Sequence, residues 1–218
     1  MKAIIFDLDG IVVDTAKYHY MAWKNLASDM GFEFSENQNE QLKGISRVKS
    51  LEILLDIGGV EITNQKKEQL LKEKNKEYLS YVNKMTPKDI LPGISKLLSY
   101  LEFEKIPFAL GSASKNATLI LKKVGLLNKF SAISDGNNVT RAKPDPEVFL
   151  LAAKKMNIVP YKCIVIEDAV AGIKAAKNAG MTAIAVGDNS IFQEADFVLN
   201  NTKELTPNFI KKVMDIND

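Results

Sequence analysis

The chain has 218 residues, 46% of them apolar, enough to bury a substantial core as one large domain or two small ones. Its 29 Lys and Arg are interleaved with 27 Asp and Glu for a formal charge of +2, so no nucleic-acid-binding face is implied. A single cysteine excludes a disulfide-built secreted domain; with no signal peptide and no apolar run of membrane-spanning length, the expectation is a cytoplasmic protein with no membrane contact.

Ala3-Ile4-Ile5-Phe6 predicts a buried strand that runs straight into Asp7-Leu8-Asp9-Gly10. Strand side chains alternate faces, so Asp7 and Asp9 share a side and can converge where the strand stops. Two close carboxylates repel unless a divalent cation or a shared proton relieves them; the competing reading is Asp as a turn former ahead of Gly10.

No second strand follows. Helical patterns cover 18–30, 37–43, 48–57 and 63–84, the last amphipathic and so rich in lysine that most of its cations read as solvated. Thr86-Pro87-Lys88 and Leu91-Pro92-Gly93 then break the pattern. Residues 15–87 are thus expected as an all-helical insert, a cap, between core segments 1–14 and 88–218. In the second segment, short apolar runs at 107–111, 131–134, 163–167 and 182–186, with a weaker one at 196–199, predict strands. They alternate with helical stripes at 92–105, 115–124, 145–156 and 169–179, the last stopped by Gly180. The alternation predicts an α/β fold: a doubly wound parallel sheet with helices on both faces. Cys163, inside an apolar run, reads as a buried thiol.

In such a sheet the ligand crevice lies at the carboxyl ends of the strands. The groups expected there are Asp7 and Asp9, Ser112-Ala113-Ser114, Lys143-Pro144, and Glu167-Asp168. Four acids can hold a hard cation through oxygen, and a hydroxyl with an ammonium can hold phosphate oxygens, the requirements of phosphoryl transfer. Each group has a plainer reading: the serines as helix N-caps, Lys143 as a surface lysine in a turn, Glu167-Asp168 as an acidic helix start. Their joint occurrence at successive strand ends favours the chemistry.

The order Asp-x-Asp-Gly, Ser after a strand, Lys-Pro, Glu-Asp resembles the haloacid dehalogenase superfamily of phosphotransferases along the whole chain, with 15–87 in the place of its helical cap. The resemblance implies that Asp7 is the nucleophile and becomes an aspartyl phosphate, and that Asp9 is the general acid and base. It implies one Mg²⁺ on the Asp7 carboxylate, the Asp9 carbonyl and Asp168, with Glu167 bound directly or through water, and a transferring phosphate held by Ser112 and Lys143. Thr15, His19, Trp23, Lys43-Gly44-Ile45, Arg47 and Ser50, with Lys74 and Ala113-Ser114-Lys115-Asn116, resemble the substrate residues of the sugar-phosphate mutases in that superfamily.

The implied reaction converts β-D-glucose 1-phosphate to D-glucose 6-phosphate through β-glucose 1,6-bisphosphate, with sugar phosphates as partners. The alternatives are a Mg²⁺-dependent sugar-phosphate phosphatase and a phosphosugar-binding regulator without turnover. A mutase needs a second phosphate site, which Arg47 and the Ser114-Lys115-Asn116 helix start fit physically. Three residues stay open: His19 contacts Asp9 or is an ordinary helix-face histidine, Lys74 or a neighbouring lysine meets the sugar, and Trp23 lines the site or packs in the core. Two positions depart from the resembled pattern, Gly111 before Ser112 and Arg141-Ala142 before Lys143. No large apolar surface stripe is evident, and a monomer is expected.

Overall fold

A computed structural model describes residues 2–216. Six strands form one sheet: β1 (Ala3–Phe6), β2 (Phe108–Gly111), β3 (Ala132–Ser134), β4 (Cys163–Glu167), β5 (Thr182–Val186) and β6 (Phe197–Leu199). They lie in the order β3-β2-β1-β4-β5-β6, and every neighbouring pair is parallel. Strands β1, β2 and β4 are buried at every position, which explains why they read as unbroken apolar runs rather than alternating ones.

Alternation divides the β1 side chains between two cores. Ile4 and Phe6 pack with α5 (Ile94–Phe103), α6 (Ala117–Lys123) and α9 (Pro207–Ile216). Ala3 and Ile5 pack with α7 (Glu147–Lys155) and α8 (Val170–Asn178) on the other face. The sheet is therefore doubly wound. Its strand order reverses between β1 and β4, and that is where a crevice opens beyond the carboxyl ends.

Between β1 and α5 run four further helices, α1 (Ala16–Asp29), α2 (Glu36–Asn39), α3 (Arg47–Gly58) and α4 (Asn64–Val82). Of these, α1, α3 and α4 bury apolar faces against one another in a cluster that includes Trp23, Leu26, Leu51, Leu54 and Leu70. The buried residues of α4 are Leu70, Lys74, Tyr78 and Val82, one stripe at intervals of four in which a lysine takes an apolar position.

Several boundaries differ from those expected. The stretch 37–43 is not one helix: a Ser35/Gln38 capping box starts α2 early, and a 3₁₀ turn over Glu40–Leu42 ends it. Helix α6 starts at Ala117 because the Ser112 and Ser114 hydroxyls accept from the N–H groups of Ser114 and Asn116 and hold that stretch in turns. Helix α7 starts at Glu147, after Pro144 and Pro146, with the Asp145 carboxylate accepting from its first N–H. Helix α8 does end before Gly180, as expected. No helix among the described residues is long and apolar enough to cross a membrane.

Candidate active site

The reversal of strand order makes the ends of β1 and β4 neighbours. Phe6 is in register with Ile166, and the Asp7 N–H donates to the Ile166 carbonyl at 2.9 Å, so Asp7 and Glu167 emerge side by side. Lys143, with its side chain fully buried, joins them: its Nζ lies 2.6 Å from Asp7 Oδ1 and 2.6 Å from Glu167 Oε1. Burial works against that ammonium, but the two carboxylates outweigh it and hold the group protonated beyond the ordinary lysine range. Lys143 is thus a core residue and not a lysine of a surface turn.

Asp7, Glu167 and Asp168 each bring a carboxylate oxygen within 4.8 Å of the others. Burial pushes the Asp7 carboxyl up to about 7, Lys143 offsetting only part of it, and raises Asp168 strongly, with the charges of Glu167 and Asp7 adding to the effect. Three converging acids with one buried ammonium between them leave uncompensated negative charge, and oxygen-only donors of this kind suit a hard divalent cation. Glu167 is committed elsewhere as well, since its Oε2 accepts from the Ala169 N–H at 2.7 Å. Gly10, at φ +85°, lets Asp168 in: a Cβ there would stand 2.2 Å from the Asp168 carboxylate.

The Asp9 side chain goes the other way. It is not one of the three converging carboxylates, because the chain leaves strand geometry after Phe6; Asp9 lines the same cavity as Asp7 but finds its hydrogen bonds elsewhere. Asp9 Oδ1 accepts from Thr15 Oγ1 at 2.5 Å and from Tyr78 Oη at 3.2 Å, and His19 Nε2 lies 3.5 Å away. Burial opposes ionisation of Asp9, yet His19, Thr15 and Tyr78 outweigh it and hold the carboxyl below its ordinary range. Thr15 precedes α1 at the N-cap position but makes no capping bond; its hydroxyl is spent on Asp9 instead.

Behind Asp9 the contacts continue into α4. Lys74 is 1% exposed, with Nζ 2.7 Å from His19 Nδ1 and 4.5 Å from the Trp23 ring centre. Burial, assisted by the Arg47 charge, lowers its ammonium to about 7. An ammonium can only donate, so a protonated Lys74 makes His19 Nδ1 the acceptor and leaves Nε2–H facing Asp9. Burial, then Lys74, keeps the His19 ring below its usual value. Tyr78 stacks on His19 with ring centres 4.0 Å apart. The helix-face alternative for His19 is therefore overturned, and among the lysines of α4 the buried one is Lys74.

A cavity of about 570 Å³ joins these two groups. Asp7, Asp9, Lys143 and Asp168 line one part of it, with His19, Trp23 and Lys74. The same wall includes Lys43-Gly44-Ile45, Arg47 and Ser50 from the helical insert and Ala113-Ser114-Lys115-Asn116 from the core. Ser112, Thr15 and Glu167 are completely buried behind this wall and act through what they hold in place. Trp23 meets both expectations at once, being 2% exposed in the insert's core and in the cavity wall.

Gly44, at φ +72°, brings the insert down onto the core: a Cβ there would lie 2.7 Å from the Ala169 Cβ. Neither the Arg47 guanidinium nor the Lys115 ammonium has an ion-pair or hydrogen-bond partner among the described residues. The main-chain N–H groups of Ser114 and Asn116 are already taken by serine hydroxyls. The two departures also find places: the Phe149 ring fills the space beside Gly111 and lies 4.6 Å from Lys143 Nζ, and Arg141 sits at the cavity edge paired with Asp145 and Glu147. Tyr78, on the amphipathic segment 63–84, is a site residue that the sequence does not single out. Its spacing of four from Lys74 is the signal that could have placed it on the same buried face.

The comparisons agree with this architecture. The family model described as haloacid dehalogenase-like hydrolase matches residues 4–186. A β-phosphoglucomutase of Bacillus subtilis is 46% identical over 94% of this chain and 92% of its own length. A phosphorylated carbohydrates phosphatase of Thermotoga maritima is 28% identical over 98% of this chain and 100% of its own. Among solved structures, a β-phosphoglucomutase from Clostridium difficile superposes with a TM-score of 0.94 at 41% identity, covering 99% of this chain and 98% of that one. The chain belongs to the haloacid dehalogenase-like hydrolase family.

Proposed function

We propose that this chain is a phosphosugar mutase that interconverts β-D-glucose 1-phosphate and D-glucose 6-phosphate through an aspartyl phosphate on Asp7 and β-glucose 1,6-bisphosphate. The similarity to β-phosphoglucomutases from two bacteria supports the reading. The observation that carries it is one cavity lined by two sets of groups, the acids and Lys143 around Asp7 and the cations Arg47 and Lys115, which have no ion-pair partner among the described residues. A phosphatase needs only the first; a bisphosphate needs both.

In this reading an Asp7 carboxylate oxygen attacks the phosphorus of the bisphosphate, and Asp9 gives its proton to the departing sugar oxygen. The sugar monophosphate turns around, its other hydroxyl returns a proton to Asp9, and that oxygen recovers the phosphoryl group. Lys143 offsets the charge gathered when a phosphate meets a carboxylate. Arg47, with a planar fork of donors, and Lys115 hold the phosphate that is not reacting.

The Asp7 and Asp168 carboxylates and the Asp9 carbonyl would hold Mg²⁺, with Glu167 contributing directly or through water. When bound, the ion supplies charge neutralisation for the approach of two anions. Residues 15–87 serve as the cap in this proposal, excluding water that would otherwise hydrolyse the aspartyl phosphate.

Phosphorus NMR of β-glucose 1-phosphate with Mg²⁺ and a trace of glucose 1,6-bisphosphate tests the reading. Glucose 6-phosphate is expected; free phosphate alone would mean a phosphatase, and no turnover a binding protein. Arg47→Ala is expected to weaken the bisphosphate step by about 10- to 100-fold while sparing hydrolysis of a small monophosphate, as the loss of a charged hydrogen-bonding partner predicts.

A further inference from the structure

Helix α4 touches both sets of groups. Lys74 and Tyr78 face His19 and Asp9, as described, while the intervening Asn75 turns to the core and accepts a hydrogen bond through Oδ1 from Asn116 Nδ2 at 3.0 Å. Asn116 belongs to the turn that carries Lys115, and it lines the cavity whereas Asn75 does not. A primary amide has two N–H donors. With one committed to Asn75, the orientation of the carboxamide is set, and the second donor and the oxygen have no hydrogen-bond partner among the described residues.

We propose that Asn75 is a positioning residue for the non-reacting phosphate: it orients the Asn116 amide and ties that phosphate's turn to the helix that carries Lys74 and Tyr78. Binding of that phosphate is then felt at Asp9 through one rigid element, because residues 74, 75 and 78 move together on α4. This rests on the mutase reading, since only a substrate with two phosphoryl positions uses a second phosphate site. Asn75 touches neither substrate nor reacting atoms in this scheme and acts through Asn116.

A double-mutant cycle over Asn75→Ala, Asn116→Ala and the pair tests it. Alanine is a good helix former at position 75, and thermal melts check that each variant folds. The measured quantities are KM and kcat for glucose 1,6-bisphosphate as phosphoryl donor, and phosphorylation of Asp7 by acetyl phosphate, which has nothing to reach Asn116.

Asn75→Ala is expected to raise KM for the bisphosphate about three- to tenfold, the range of a lost neutral hydrogen bond, with kcat changed less. The double variant is expected to be no worse than Asn116→Ala, and acetyl phosphate to react within about twofold of the wild-type rate, since the hydrogen bond lies away from Asp7. Additive losses, an unchanged KM, or an equal loss with acetyl phosphate would each overturn the proposal. The wild-type control separates the two readings: glucose 6-phosphate from wild type with an unaffected Asn75→Ala sinks this inference alone. Free phosphate alone from wild type sinks the mutase reading and this inference with it.

Discussion

Asp7 and Asp9 stand two residues apart and live in opposite surroundings. Asp7 is enclosed by core groups, with Lys143 and Glu167 set by the ends of neighbouring strands, and burial pushes its carboxyl up to about 7. Asp9 is held by His19, Thr15 and Tyr78, and its carboxyl falls below the ordinary range. Burial alone would raise both. The difference is hydrogen-bond supply: Asp9 accepts from neutral donors that stabilise its charge, while Asp7 shares its ammonium with a second carboxylate and lies near a third. Asp7 thus stands where gathered negative charge favours a cation, and Asp9 where residues of the insert set its charge state.

Replacing each acid by its amide is the strongest way to break this division. Asp7→Asn is expected to abolish the phosphoenzyme by mass spectrometry and cut turnover by at least about 10⁴-fold, the usual scale for a lost covalent nucleophile; normal turnover would refute the assignment. Asp9→Asn is expected to lower kcat by about 10²- to 10⁴-fold, the range of general acid-base catalysis. Asp7 should still be phosphorylated by acetyl phosphate in that variant, because acetate leaves without a proton. If both variants lose phosphoenzyme formation alike, the two carboxylates do not have separate duties.

Tyr78→Phe sharpens the comparison more gently, keeping the ring on His19 and removing one donor to Asp9. That donor favours the ionised carboxyl, so its loss raises the pKa, and the acidic limb of the pH profile is expected to move up by about one unit. A limb that stays in place would show that Thr15 and His19 suffice.

The smallest effect concerns stability. Burial lowers the Lys74 ammonium from its ordinary 10.5 to about 7 in the fold, so between those values the unfolded chain holds a proton that the folded chain lacks. Raising the pH through that window therefore stabilises the fold, and below about 7 the full burial penalty of the charge is present. Denaturant midpoints of wild type and Lys74→Met are expected to differ most at pH 6 and to approach one another by pH 9.5, the gap spanning at most a few kcal/mol.

The core strands were legible because burial on both faces writes itself as continuous apolar runs, and the acids were legible because Asp7 directly follows β1 and Glu167 ends β4, with Lys143 in the turn ahead of α7. The helix starts were less so: side chains of Ser112, Ser114 and Asp145 bind nearby N–H groups and delay α6 and α7, an outcome that depends on backbone turns and not on residue type.

Linear order was sufficient for the doubly wound sheet, the site of the insert and the acids at the strand ends, since all of these are local patterns of apolar runs and their terminations. The parting of Asp7 from Asp9, the burial of one lysine of α4 among many exposed ones, the turn of Tyr78 toward Asp9 and of Asn75 toward Asn116 were decided only when the insert came down on the core. Those contacts join residues 41 to 69 positions apart in the chain, and no periodicity or spacing within a segment encodes which distant side chain will face it.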